Sequence, residues 1–250
     1  MRVASWNILN RADDWTAKAH AITRLLAEAD VDVAALQETP ATARKPLSAA
    51  FAAAGYAISF NPIPAGRADG CAVAWRTAML TESRTMAVSD VDCAIQRFTD
   101  NLTVCSYHGI WGATMQGERL RETRLLDRLL PHDGITLLLG DFNASAGESA
   151  VRLLAGLTEA GTYWTEAQET ALMLGRLDRS LPTALPGTAP KAAETGRTVG
   201  LNPAYLPGRR IDFMFSRGWN YGRRGGWTGC FTAEATDLSD HALLAARLLA

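Results

Sequence analysis

Three acids stand where an unpaired carboxylate is costly. Glu38 follows the apolar run VDVAALQ, Asp141 follows ITLLLG, and Asp212 lies inside RRIDFMF. A carboxylate carried to the rim of a buried strand must be paired, hydrogen-bonded or bound to a cation. Each alone also reads as a helix N-cap or a surface ion pair; together they can hold a hard ion. Oxygen donors suit magnesium, with manganese as its substitute, whereas a zinc site would show closely spaced histidines or cysteines. The chain has four histidines. His108 follows LTVCSY, and His241 sits in LSDHALL beside Asp240. That aspartate either caps the next element or fixes the imidazole tautomer and raises its basicity for acid-base work. Asn7 and Asn143 border apolar runs, where an amide either closes a turn or holds a water or phosphate oxygen. His20 and His132 lie on a helix face and in a turn and carry no assigned role.

The elements that must position these residues are short strands alternating with helical stretches. RVASWNIL reads as an opening strand, WTAKAHAITRLLAEAD as a helix with Ala21, Ile22, Leu25 and Leu26 on one face, and VDVAALQ as the strand that ends at Glu38. ATARKPLSAAFAAAG reads as a second helix stopped at Gly55, followed by strands at YAISF, GCAVAW, AMLTESRTM, AIQRF and LTVCSYH, a run that implies antiparallel neighbours. GERLRETRLLDRLL reads as an amphipathic helix burying Leu120, Leu125, Leu126, Leu129 and Leu130, and it leads into ITLLLGD. IDFMF and HALLAARLL complete the strands. Residues 157–209, rich in Gly, Pro, Thr and Ala, lack periodicity and are expected to form an irregular substrate-side region. With no linker-like break, residues 1–250 read as a single α/β domain.

The 250 residues are 48% hydrophobic, enough for a sizeable core, and the formal net charge is −1. A protein that coats nucleic acid would be strongly basic, so any polyanion must be gripped locally. The four cysteines lie among apolar neighbours with no C-x-x-C pair and are expected to be buried free thiols. No window reaches membrane-spanning length and no cleavable leader is seen, so the expectation is a cytoplasmic protein with no membrane insertion and no obligate protein partner.

Taken in order, SWN at Ser5 to Asn7, LQET at Leu36 to Thr39, YHG at Tyr107 to Gly109, GDFN at Gly140 to Asn143, RRIDFMF at Arg209 to Phe215 and LSDH at Leu238 to His241 resemble the endonuclease/exonuclease/phosphatase superfamily, end to end. The resemblance implies an α/β four-layer sandwich: two central mixed β-sheets packed face to face, with helices on both outer sides and a site at one end. It implies metal ligation by Glu38, with Asn7, Asp141 and Asp240 in the ligand set. Asn143 would orient the attacking water or the phosphate, and Asp240 would orient His241. His241 would act as base or phosphate contact, and His108 would donate to a phosphoryl oxygen or the leaving group. Asp212 would hold a histidine or a metal-bound water. The reaction implied is in-line attack of water on phosphorus.

His108 stands where abasic-site endonucleases resemble a tyrosine pattern, so the chain goes with the nuclease-like, sphingomyelinase-like and deadenylase-like branches. LPGRRIDFMF departs from the inositol 5-phosphatase signature. Arg197, Arg209, Arg210, Arg217, Arg223 and Arg224, interleaved with Tyr205, Trp219, Tyr221 and Trp227, suggest an anion-binding wall for DNA, RNA or a nucleotide, or else a solvated rim. Trp111 and Trp164 could line a pocket or lie in the core. The leading expectation is a metal-dependent phosphodiesterase. Its rivals are a phosphomonoesterase on a small metabolite or lipid head group and a noncatalytic module on the same scaffold.

Overall fold

A computed structural model of the chain describes residues 1–78, 83–86, 88, 90–98, 101–157, 164–178, 180–184, 210–218, 226–233 and 238–249. Its strands are β1 (Arg2–Asn7), β2 (Val33–Pro40), β3 (Tyr56–Phe60), β4 (Asp69–Arg76), β5 (Ser83–Met86), β6 (Cys93–Phe98), β7 (Leu102–His108), β8 (Ile135–Asp141), β9 (Thr165–Glu166), β10 (Asp212–Arg217), β11 (Gly226–Ala233) and β12 (Leu243–Leu249). Its helices are α1 (Trp15–Glu28), α2 (Ala41–Ala53), α3 (Gln116–Leu129), α4 (Ser149–Leu154) and α5 (Ala167–Met173). One six-stranded sheet runs β11-β12-β1-β2-β4-β3 and the other β5-β6-β7-β8-β10-β9.

Each sheet is built on one parallel pair joined by a helix, β1-α1-β2 in the first and β7-α3-β8 in the second; the other pairings are antiparallel. The period of two along each strand decides what faces what. Val3, Val33, Ala35, Cys71, Val73, Leu244 and Ala246 meet Ala94, Phe98, Leu102, Val104, Leu137, Leu139 and Met214 between the sheets. The alternate residues Ala4, Trp6, Ala34, Leu36, Ala72 and Ala74 pack outward with Ile22 and Leu26 of α1 and Leu47 and Phe51 of α2. On the far side Cys105, Leu138, Phe213 and Phe215 pack outward with Leu126 and Leu130 at α3 and Val151 and Leu154 of α4. Full burial of one such aliphatic or aromatic side chain is worth about 1.5–3 kcal/mol, so a one-residue slip in register would forfeit many such gains at once. This is the expected four-layer arrangement of helices, sheet, sheet and helices.

Local chemistry sets the element ends. Asp14 caps α1, its carboxylate accepting from the Thr16 and Ala17 amides, and Gly55 after α2 takes the left-handed conformation (φ 78°) that ends a helix cheaply. α3 differs from its expected face. Leu126 and Leu130 are buried, but Leu129 is exposed, Leu120 and Leu125 are only half-buried, and Arg119, Glu122 and Thr123 line the buried stripe instead. Arg119 is drawn in because its guanidinium donates to the Ile110 and Gly112 carbonyls and to Glu148 (2.8 Å), while Glu122 accepts from the Tyr107 hydroxyl (2.8 Å). The polar stripe clamps the loops that follow β7 and β8.

Part of the region expected to be irregular is ordered: β9 and α5 lie within it, and α5 places Ala167 and Ala171 in the inter-sheet core. β11 has no counterpart among the sequence-predicted strands. The four cysteines are free and buried. Among the described residues no helix is long and apolar enough to cross a membrane.

Candidate functional site

The inner-facing column of each central strand is apolar through the sandwich and turns polar at one rim. Val3 leads by twos to Ser5 and Asn7, Val33 and Ala35 to Gln37, Leu102 and Val104 to Ser106 and His108, and Leu137 and Leu139 to Asp141. Bonds across the gap confirm the facing: Gln37 Nε2 donates to Ser106 Oγ (2.9 Å), and Asn7 Nδ2 donates to Asp141 Oδ2 (3.1 Å). Strand register then aligns three of the groups in a row, His108 opposite Asp141 in the parallel pair and Asp212 opposite Asp141 in the antiparallel one. Directly opposed residues on one face are close neighbours.

Glu38 would fall on the outward face by parity. A register irregularity between Leu36 and Thr39 and a left-handed backbone at Glu38 (φ 58°) re-aim it inward. Such a conformation costs a non-glycine residue about 1–3 kcal/mol. The carboxylate is held there by Asn7 Nδ2 at Oε1 (3.1 Å) and by the Asn10 amide at Oε2 (2.9 Å). The β1-α1 loop that supplies Asn10 is tied down by Lys18, whose ammonium donates to the Leu9 and Arg11 carbonyls (2.8 and 2.7 Å). Asn7 itself shows its nitrogen to both carboxylates while its oxygen accepts from the Leu9 amide (3.0 Å). In this arrangement Asn7 spaces the two acids as a donor, while its oxygen is held by the Leu9 amide.

Asn143 also has a left-handed backbone (φ 48°). Its amide donates to Asp141 Oδ1 (2.8 Å) and its Nδ2 to the Gly109 carbonyl (2.9 Å), tying the loops after β8 and β7 together. Gly109 and Gly140 permit this approach: a Cβ on Gly109 would lie 2.4 Å from the Phe142 carbonyl oxygen, and one on Gly140 1.9 Å from that of Tyr107.

His241 is fixed from three sides. Its amide donates to Ser239 Oγ (3.0 Å), which donates to the Asn7 carbonyl (2.6 Å), and its own carbonyl accepts from Trp6 Nε1 (3.0 Å). The carboxylate on its ring belongs to Asp212, 3.0 Å from Nδ1. Asp240, expected to orient His241, is its chain neighbour and is only half-buried; Asp212 has the facing position because β10 places it beside Asp141. Thr183 secures that strand end, its Oγ1 accepting from the Ile211 and Asp212 amides and its carbonyl from the Ala242 amide.

His108 is flanked by groups that sequence reasoning did not single out. Its Nδ1 lies 3.4 Å from Asp92 Oδ2, 4.0 Å from Asp69 Oδ1 and 3.2 Å from Arg67 Nη2, and Arg67 Nη2 donates to Asp92 Oδ2 at 2.6 Å. Asp69 accepts from Asn10 Nδ2. Asp69 and Asp92 stand at the beginnings of GCAVAW and CAIQRF, and strands antiparallel to the parallel pairs start at the rim where those end. Applying the buried-strand-end criterion to strand starts would have found both.

Both imidazole Nε2 atoms converge on Asp141 Oδ2, His108 at 3.9 Å and His241 at 3.7 Å. Burial alone would lower the histidine pKa values. The surrounding carboxylates outweigh it, Asp92, Asp141 and Glu38 raising His108 to about 9, and Asp212 and Asp141 raising His241 to about 10. Burial pushes Glu38 up, but His108 and the Asn10 and Asn7 donors bring it below its ordinary value. Asp141 is held above the usual range by burial and by Asp212.

A hard divalent cation fits these residues. Glu38 and Asp141 supply facing carboxylate oxygens, the ligand atoms of Asp141, Asp212 and His241 all lie within 4.8 Å of one another, and Asp212 Oδ1 is buried with no hydrogen-bond partner among the described residues.

The residues expected to contact substrate divide differently. Trp164 is a core residue, 2% exposed, with its indole donating to Asp127 Oδ1 of α3 (2.8 Å). Arg210 is paired with Glu166 (2.9 Å) and packs over the Phe213 ring, and Arg217 is paired with Asp127 (2.7 Å), so these cations are spent internally. Trp227 is buried, its indole donating to the Thr165 carbonyl. Trp111, three residues after His108, is exposed. Arg197, Tyr205, Arg209, Trp219, Tyr221, Arg223 and Arg224 lie outside the described residues.

Three solved structures similar to this chain share its fold. D. rerio TDP2 complexed with single strand DNA product is 19% identical, with TM-score 0.69 and coverage of 100% of this chain and 99% of that one. The human Nocturnin catalytic domain with bound sulfate anion is 15% identical, with TM-score 0.66 and coverage of 100% and 94%. An AP endonuclease from Archaeoglobus fulgidus is 18% identical, with TM-score 0.66 and coverage of 99% and 98%. No curated protein matches the chain by sequence. The family model described as Endonuclease/Exonuclease/phosphatase family matches residues 4–241, which takes in every group of the site just described, and the chain belongs to that family of phosphoester hydrolases.

Proposed function

We propose that this chain is a magnesium-dependent phosphodiesterase acting on nucleic acid or nucleotides, with manganese able to replace magnesium. The observation that carries the reading is the meeting of two carboxylate-backed imidazoles over Asp141, with Glu38 bridged to the same carboxylate through Asn7. Glu38 and Asp141 would hold the ion, with Asp240 at the edge of the ligand set. Bound there, a divalent cation neutralises charge on the phosphoryl oxygens and leaving group.

The chain's own residues do the rest. Asp141 stands between the two rings and is tied to the Asn143 amide, so it takes a proton from the attacking water, which Asn143 orients. In the ion-free chain the surrounding carboxylates raise His108 to about 9 and His241 to about 10, the protonated form in which Nε2 can donate. His241 donates from Nε2 to a non-bridging oxygen, and His108 donates to a second oxygen or to the leaving group. Asp212 and Asp92 hold the two rings. The similar D. rerio structure holds a single strand DNA product, which supports a diester in a polynucleotide as the first substrate class to test.

The test is hydrolysis of duplex DNA, single-stranded DNA, RNA, a generic diester and a generic monoester, with magnesium or EDTA, by wild type and Asp141→Asn. Magnesium-dependent diester cleavage lost in the variant is the expected result. Cleavage of the monoester alone would replace the reading with a phosphatase, and silence throughout would leave the scaffold as a binding module.

A further inference from the structure

Two clusters at this rim have the composition of a cation site. In each, a histidine and two aspartates offer ligand atoms within 4.8 Å of one another: Asp141, Asp212 and His241 in one, Asp69, Asp92 and His108 in the other. Donor chemistry does not separate them. Arg67 does. Its Nη2 lies 2.6 Å from Asp92 Oδ2 and 3.2 Å from His108 Nδ1, among the atoms that would have to ligate an ion. Among the described residues no arginine or lysine is hydrogen-bonded to or ion-paired with Glu38, Asp141 or Asp212.

Arginine keeps its charge at any working pH, so a divalent ion beside it would meet fixed repulsion and lose Asp92 as a full ligand. The second cluster nevertheless retains coordinating capacity. Asp92 is 5% exposed, and its Oδ1 is buried with no hydrogen-bond partner among the described residues. Arg67 is carried by the loop between β3 and β4, and its side chain is 27% exposed, so its removal would open the cluster to solvent ions without dismantling a strand.

We propose that Arg67 is the resident cation of the Asp69, Asp92 and His108 cluster: it closes that cluster to divalent metal, leaves one ion site at Glu38 and Asp141, and positions His108 through Asp92. The single-site part rests on the metal-dependent reading above. Arg67 is a positioning residue here, acting on His108 and on the metal count.

The experiment counts bound Mn²⁺ by electron paramagnetic resonance in wild type, Arg67→Met, the double variant Arg67→Met with Asp92→Asn, and Glu38→Gln, with circular dichroism to confirm folding. Expected are one ion in wild type, a second and weaker one in Arg67→Met, and loss of that second ion in the double variant. Two ions in wild type, or one in folded Arg67→Met, would overturn the proposal. Should Arg67→Met fail to fold, Glu38→Gln decides: an ion that survives there and is removed by adding Asp92→Asn would sit in the second cluster and refute it, while loss of ordered binding supports it. If wild type binds no ion, the metal-dependent function fails separately; one ion gained by Arg67→Met would still support the role of Arg67, and none would end it.

Discussion

The site has two histidine poles that look alike in composition and differ in construction. At one, His241 is gripped by Asp212 at 3.0 Å, and among the described residues no guanidinium shares that contact. At the other, His108 meets Asp92 at 3.4 Å and shares it with Arg67, which binds the same carboxylate more closely than the ring does. Asp141 lies between and faces both rings. The difference teaches that an acid-histidine cluster is defined as much by the cation already in it as by its ligands. One pole gathers carboxylates with no guanidinium on them among the described residues, and the other carries Arg67 on its carboxylate.

The largest expected effect strikes the group common to both poles. Asp141→Asn is nearly isosteric, so folding should persist, while kcat should fall by at least about 10²–10³-fold, the range seen when one preorganised transition-state group is lost. Steady-state kinetics beside a thermal melt checks this, and full activity would remove Asp141 from the chemistry.

A sharper contrast comes from neutralising the partner acid at each pole. Asp212→Asn should lower kcat by about 10–100-fold, the usual scale for losing a carboxylate that orients a site histidine. Asp92→Asn should cost less, because its contact with the ring is longer and Arg67 remains to fill the pole. Comparable losses, or the reverse order, would break the asymmetry.

Metal should stabilise through the first pole alone. At one hundred times its dissociation constant an ion adds about 2.7 kcal/mol, which in a chain of this size raises Tm by several degrees. Differential scanning fluorimetry with magnesium and with EDTA should show that rise in wild type and not in Glu38→Gln, while Arg67→Met should show an enlarged rise.

The last contrast is the pH dependence of the metal-free protein. Both histidines are raised above their unfolded value near 6.5, so their contribution to stability is complete below that pH and is lost as pH rises through about 9 for His108 and about 10 for His241. The Tm in EDTA should decline from pH 7 to 10, and Asp212→Asn should remove the upper part of the decline. A flat profile would mean that the rings are not held by these acids.

Much of the arrangement was legible in the sequence because period two and apolar runs report which face a strand buries. Glu38, His108 and Asp141 stand out as polar groups closing such runs and Asp212 as the acid beside the run IDFMF, and the structure collects all four at one rim. Asp69 and Asp92 escaped because, apart from Asp212, the same logic was not carried to the acids at strand starts. The α3 face misled for another reason: leucine spacing outlines an amphipathic stripe, but Arg119 and Glu122 could be buried only because Glu148, Tyr107 and the loop carbonyls supply partners from distant parts of the chain. Trp164 reads as either a pocket or a core residue and Arg210 as either an anion-binding or a solvated group, because their partners Asp127 and Glu166 are likewise invisible to local pattern.

What the sequence by itself determined is the strand and helix alternation, the inward faces and the ordered set of motifs, all of which depend on neighbours within a few residues. What only the tertiary structure decided is which acid serves which histidine. Asp240 is adjacent to His241 in the chain, yet Asp212, 29 residues away, holds the ring, because the register of β10 against β8 brings it opposite Asp141. Arg67 reaches Asp92 in the same way, from a loop of one sheet to the strand start of the other. Charge pairing falls off over a few ångströms of space, and at those distances strand register and sheet packing, rather than sequence separation, choose the partners.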